Sequence, residues 1–80
     1  MIATAYILIN VASGKARAVY DQLQKIPNVT HISAVTGPYD IIVTVQGTDF
    51  NTIGRLVLDK IQAIDGIEKT LTCNVIEFEQ

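Results

Sequence analysis

Two nearly unbroken apolar runs constrain this chain most. One is AYILINV, Ala5 to Val11; the other fills Asp40 to Gln46, DIIVTVQ. Both are rich in β-branched residues and too short for helices, so they read as central strands. Each is followed by a segment of helical period. Lys15 to Ile26 spaces Ala16, Val19, Tyr20, Leu23 and Ile26 along one stripe, with Ser13 available as a cap and Pro27-Asn28 as the stop. Phe50 to Ile64 does the same with Phe50, Ile53, Leu56, Val57, Ile61 and Ile64, between an N-cap in Gly47-Thr48-Asp49 and the closing Asp65-Gly66. Val29 to Val35 is a more polar strand, suited to an edge, and Glu68 to Glu79 reads as the last strand.

The resulting order is β-α-β-β-α-β. The halves echo each other, IPNVTHI after the first helix and IDGIEKT after the second. This is the split βαβ plan: a ferredoxin-like α+β sandwich, one four-stranded antiparallel sheet with both helices on one face. At 80 residues it is one domain, 1–80. The first and third strands belong at the centre. Alternation places Ala5, Ile7, Ile9, Val11, Ile41, Val43 and Val45 under the helices. The other face then carries Tyr6, Leu8, Ile42, Ile76 and Phe78, interleaved with Asn10, Thr44, Thr70, Thr72 and Asn74. That face is too apolar for water, and 49 % hydrophobic residues exceed what one thin core needs. The expectation is a dimer packed through the open sheet face. Leu58 lies off the stripe of the second helix, and Gly54 sits inside it at a cost of roughly 1 kcal/mol relative to Ala. Either marks a further contact, or Leu58 is an ordinary exposed Leu and Gly54 a close approach of helix to sheet.

Several function classes lose support. Net charge is −2, and the six basic residues, Lys15, Arg17, Lys25, Arg55, Lys60 and Lys69, are scattered, so direct nucleic-acid binding is not expected. No run has transmembrane length, and the N-terminus lacks a basic n-region. The one cysteine, Cys73, fits a reducing compartment, the cytoplasm, and reads as a small core residue in TLTCNVIEF. His31 stands alone without metal-ligand spacing and reads as a polar edge-strand residue. There is no nucleophile elbow, phosphate loop or acid–base pair, so neither enzyme activity, metal nor cofactor is expected.

Binding is better supported. A free amino acid needs an acceptor for its ammonium and donors for its carboxylate. In VTGPYDIIVTV, Asp40 could accept, the turn at Gly37 could donate main-chain N–H groups, and Tyr39 could wall the site. Pro38 has no N–H to offer. Thr70 and Thr72 place two hydroxyls on one strand face. Asp40 equally suits plain turn chemistry, and the threonines plain strand propensity.

These residues carry a resemblance. VTGPYDIIVTV resembles the G-x-[YF]-D signature opening the third strand of the Lrp/AsnC effector domain, also called the RAM domain. GIEKTLTCNVI resembles that family's last strand with its T-x-T, and LQKIPNVTHISAVTG its first helix end and second strand. The resemblance covers Ala3 to Glu79 and implies a stand-alone RAM domain without the helix-turn-helix that precedes it in full-length regulators. It further implies facing-sheet dimers, assembly into octameric or similar rings, and amino acids bound between dimers. The matching positions are Gly37, Tyr39 and Asp40, with Thr70 and Thr72; Pro38 departs, since many members have a polar or charged residue there. The implied role is a non-enzymatic, amino-acid-responsive module that co-assembles with full-length Lrp/AsnC regulators. Two rivals stand beside it: a small dimeric α/β-barrel enzyme of the isomerase or cofactor-free monooxygenase kind, and a purely structural oligomerisation domain.

Overall fold

The computed structural model describes residues 2–78. Its elements are β1 (Ala3–Val11), α1 (Ala16–Leu23), β2 (Val29–Ala34), β3 (Ile41–Gly47), α2 (Phe50–Leu56) running directly into a π-helical turn (Val57–Ile61), and β4 (Ile67–Asn74). The strands form one antiparallel sheet in the order β2-β3-β1-β4. The two most apolar strands are therefore central, as expected, because only strands covered on their flanks can bury continuous apolar runs.

Ala5, Ile7 and Ile9 of β1 pair with Val45, Val43 and Ile41 of β3. All six are fully buried, together with Val19 and Leu23 of α1, Ile53 of α2, and Ile61. One sheet face and two helix stripes thus make a single core. Asp49 caps α2: its Oδ1 accepts the Thr52 N–H at 2.7 Å. That bond, with a second from the Thr52 side chain, holds the Asp49 carboxyl below its ordinary value of 3.8.

The structure corrects several expectations. Lys15, not Ser13, occupies the N-cap of α1, and no side chain bonds there. Phe50 is not buried but 45 % exposed, because it stands on the first turn of α2 beyond the sheet's cover. Gly54 does not mark a close approach, since a Cβ built there meets nothing within 4 Å. Strand β4 ends at Asn74, so Ile76 and Phe78 lie beyond the strand rather than on its open face; the expected end at Glu79 lies outside the described residues.

The largest correction concerns the parity of β4. Thr70 pairs with Ile9, Thr72 with Ile7 and Asn74 with Ala5. Directly paired residues share a face, so these three lie on the helix side of the sheet. Leu71 and Cys73, opposite Leu8 and Tyr6, lie on the open side, and Cys73 is exposed rather than a core residue. The physical reason is coverage. Helix α2 packs over β1 and β3, and the outer part of edge strand β4, at Thr72 and Asn74, stays exposed. There the helix side of β4 faces water and carries polar residues, while Ile67 at its start packs against the core.

Candidate functional site

The segment Gly37–Asp40 is stapled to the end of β1 by three hydrogen bonds. The Asn10 Nδ2 donates to the Pro38 carbonyl at 2.8 Å, the Asp40 N–H to the Ile9 carbonyl at 2.9 Å, and the Val11 N–H to Asp40 Oδ2 at 2.9 Å. The Asp40 carbonyl also accepts the Val35 N–H at 2.9 Å, which closes the connection between β2 and β3. Gly37 has φ +125°, a conformation that other residues adopt only with strain.

The position of Asp40 follows from the sheet. The β1–β3 ladder ends at the Ile9–Ile41 pair, so the Val11 N–H, which faces the β3 side of β1 as the Ile9 carbonyl does, has no strand partner there. Asp40 supplies it with one carboxylate oxygen. Among the described residues Oδ1 accepts no hydrogen bond. Asp40 is half-buried and held through one carboxylate oxygen. Turn chemistry thus engages one oxygen of this side chain and leaves the other without a hydrogen bond among the described residues.

Within one chain the five expected site residues fall into two groups. Gly37, Tyr39 and Asp40 sit together beside the end of β1. Thr70 and Thr72 lie on the other flank of that strand, two strand spacings away, or roughly 10 Å. Thr70 is also engaged: its Oγ1 accepts Gln62 Nε2 at 2.9 Å. Gln62 follows the π turn, whose last bond runs from the Gln62 N–H to the Val57 carbonyl at 2.8 Å. A single chain does not bring Asp40 and the threonines into one pocket.

Two points escaped the sequence reading: the bond from Asn10 to Pro38, and the place of Leu71 on the open face already expected to carry Tyr6, Leu8 and Ile42. Asn10 holds Pro38, so the residue without an N–H contributes through its carbonyl instead. On the open face, Leu8 is flanked by Ile42 on β3 and Leu71 on β4, forming an apolar band across three strands. Beside it, Tyr6 and Leu71 are 46 % and 48 % exposed. The strict alternation in TLTCN, residues 70–74, carried the signal for Leu71, but assigning it to a face required the register.

A four-stranded antiparallel sheet with two helices on one face defines a ferredoxin-like domain. The chain belongs to the Lrp/AsnC ligand binding domain family, whose model matches residues 4–78. It is 38 % identical over 68 residues to an uncharacterised HTH-type transcriptional regulator of Pyrococcus abyssi, a match covering 85 % of this chain and 43 % of that one. Its fold superposes on FFRP-DM1 with a TM-score of 0.88 at 34 % identity, covering 92 % of this chain and 99 % of that one. It also superposes on a transcriptional regulator of Neisseria meningitidis in complex with L-Met, with a TM-score of 0.85 at 25 % identity, covering 94 % of this chain and 50 % of that one. The chain spans about half the length of the curated relatives it matches. The family and these relatives support a regulatory role. Among the described residues no helix is long and apolar enough to cross a membrane.

Proposed function

We propose that this domain is a non-enzymatic regulatory module that binds a free amino acid between chains. The observation that carries this reading is the divided carboxylate of Asp40. Its Oδ2 is spent on Val11, while Oδ1 is free to accept a ligand ammonium. The main-chain N–H groups around Gly37 supply donors for the ligand carboxylate, and Tyr39 gives the site a wall. Thr70 and Thr72 are too far away to join from the same chain, so any part they play comes from a neighbouring one. The L-Met complex of the Neisseria relative supports an amino acid as the ligand class.

The same reading takes the open sheet face as the dimer interface. The band Ile42–Leu8–Leu71, with Tyr6 beside it, is apolar and uncovered. Obligate interfaces resemble a core cut in two, and this face has that composition at its centre with Lys69, Asn10 and His31 around it. The module then acts in amino-acid-responsive transcription regulation by co-assembling with full-length regulators of its family through these shared surfaces. Its setting is the cytoplasm.

Calorimetric titration of the purified protein with each of the twenty amino acids tests ligand binding. The reading expects saturable binding by a few of them, lost in Asp40→Asn. Size exclusion with a full-length family regulator from the same cell tests co-assembly, which predicts a mixed species at micromolar concentration. Absence of that species removes the co-assembly part alone.

A further inference from the structure

Phe50, Gly54, Leu58 and Gln62 follow one another at four-residue intervals along α2 and the π turn. A spacing of four lies between the α repeat of 3.6 and the wider π repeat, so these residues hold one row through both geometries. Gln62 fixes where the row faces, because its side chain reaches Thr70 on β4. The row therefore runs beside β4, across from the uncovered Thr72 and Asn74. Leu58 is 64 % exposed and Phe50 45 %. Between them Gly54 opens a gap in which an added Cβ meets nothing. The glycine weakens the helix and serves no contact within the chain.

We infer that this row is a second interface between copies of this chain, in which α2 of one copy crosses α2 of another about a two-fold axis. The proposal builds on the open-face dimer proposed above and uses a different surface. An antiparallel crossing centred near Leu56 and Val57 lays each Leu58 over the partner's Gly54, so a protruding side chain meets a gap of the same row. The charges agree with this geometry. Arg55 and Asp59 stand on the same flank of the row, and neither forms an ion pair among the described residues. The same crossing brings each Arg55 to the partner's Asp59 on both sides of the axis. Such a surface is self-complementary, as a two-fold contact requires. Combined with the open sheet face, it joins dimers into larger assemblies.

Sedimentation or light scattering on the full chain at micromolar concentration and low salt tests this. Wild type is expected at a mass at least twice that of the dimer. Leu58→Glu is expected to reduce it to the dimer. Arg55→Glu alone should do the same, and Arg55→Glu combined with Asp59→Arg should restore the larger species, since the swapped charges again pair. All these positions are exposed, and far-UV circular dichroism verifies that each variant keeps its fold. A wild type that is dimeric throughout overturns the inference and leaves the open-face dimer intact. A larger species indifferent to Leu58→Glu and to the charge reversal overturns it as well. Dissociation of Leu58→Glu to monomers makes the helix row the primary contact and overturns the open-face dimer on which the inference rests.

Discussion

Asp40 and Val11 are joined by a hydrogen bond of 2.9 Å from the Val11 N–H to the Asp40 Oδ2, just beyond the last β1–β3 pair, Ile9–Ile41. The same carboxylate therefore completes the sheet with one oxygen and keeps the second without a hydrogen bond among the described residues.

The two roles can be separated. Asp40→Ala leaves the half-buried Val11 N–H without its acceptor and should cost about 1–3 kcal/mol in urea unfolding. Asp40→Asn keeps an oxygen for that N–H and removes the charge. It should unfold close to wild type and lose at least tenfold in amino-acid affinity, the weight of one charge-assisted hydrogen bond at roughly 1.4 kcal/mol or more.

Leu8 sits at the middle of the apolar band on the open face, between Ile42 and Leu71. Leu8→Glu places an unpaired charge at the centre of the proposed dimer. The dissociation constant should rise at least about 30-fold, corresponding to roughly 2 kcal/mol for a central interface residue. Equilibrium sedimentation measures it. An unchanged dimer would place the interface elsewhere.

Gly66 and Gly54 should respond to alanine in opposite directions. Gly66 has φ +100°, and a Cβ there would lie 2.8 Å from the Lys15 Cβ. Gly66→Ala should therefore destabilise by roughly 1–3 kcal/mol. Gly54→Ala meets open space in a helix and should stabilise by about 0.5–1 kcal/mol. Thermal unfolding in a Leu58→Glu background reads the helix effect free of assembly.

Asp49 gives a pH signature. The Thr52 N–H lowers its folded value below the ordinary 3.8. A depressed carboxylate contributes stability that is fully present above the unfolded value and is lost as pH falls through the folded one. Asp49→Asn should leave the stability at neutral pH changed only modestly and flatten the acid limb below about pH 4, the unfolded aspartate range. Urea midpoints measured from pH 2 to 7 test this. An acid limb identical to wild type would contradict the cap's contribution.

Much of the fold was legible because it rests on periodicity. Alternation in AYILINV and the two helix stripes state directly what should be buried: Ala5, Ile7, Ile9, Val19, Leu23, Ile53, Val57 and Ile61 are, while Val11, Tyr20, Ile26, Leu56 and Ile64 only flank the core and Ala16 and Phe50 are exposed. What was not legible depends on register. The face of Thr70, Thr72 and Asn74 was misassigned because it is set by the pairing of β4 with β1: these polar residues turn to the helix side, where Gln62 reaches Thr70 and Thr72 and Asn74 stay exposed. The end of the β1–β3 ladder at Ile9 and Ile41, which explains Asp40, is a property of two paired strands and leaves no mark in either alone. The Gln62–Thr70 bond likewise depends on a π turn that no residue type in VLDKI announces. For the candidate site, Gly37, Tyr39 and Asp40 were found together because they are consecutive in chain order. Their separation from the threonines by β1 became visible only in three dimensions.

The most direct test of the central claim is titration calorimetry of wild type and Asp40→Asn with the twenty amino acids, with light scattering on the same samples. The account predicts saturable binding of a few amino acids to wild type, a shift in assembly mass on binding, and loss of that affinity in Asp40→Asn with the fold intact. No binding by any amino acid to a stable wild-type oligomer, or equal affinity in Asp40→Asn, would contradict it.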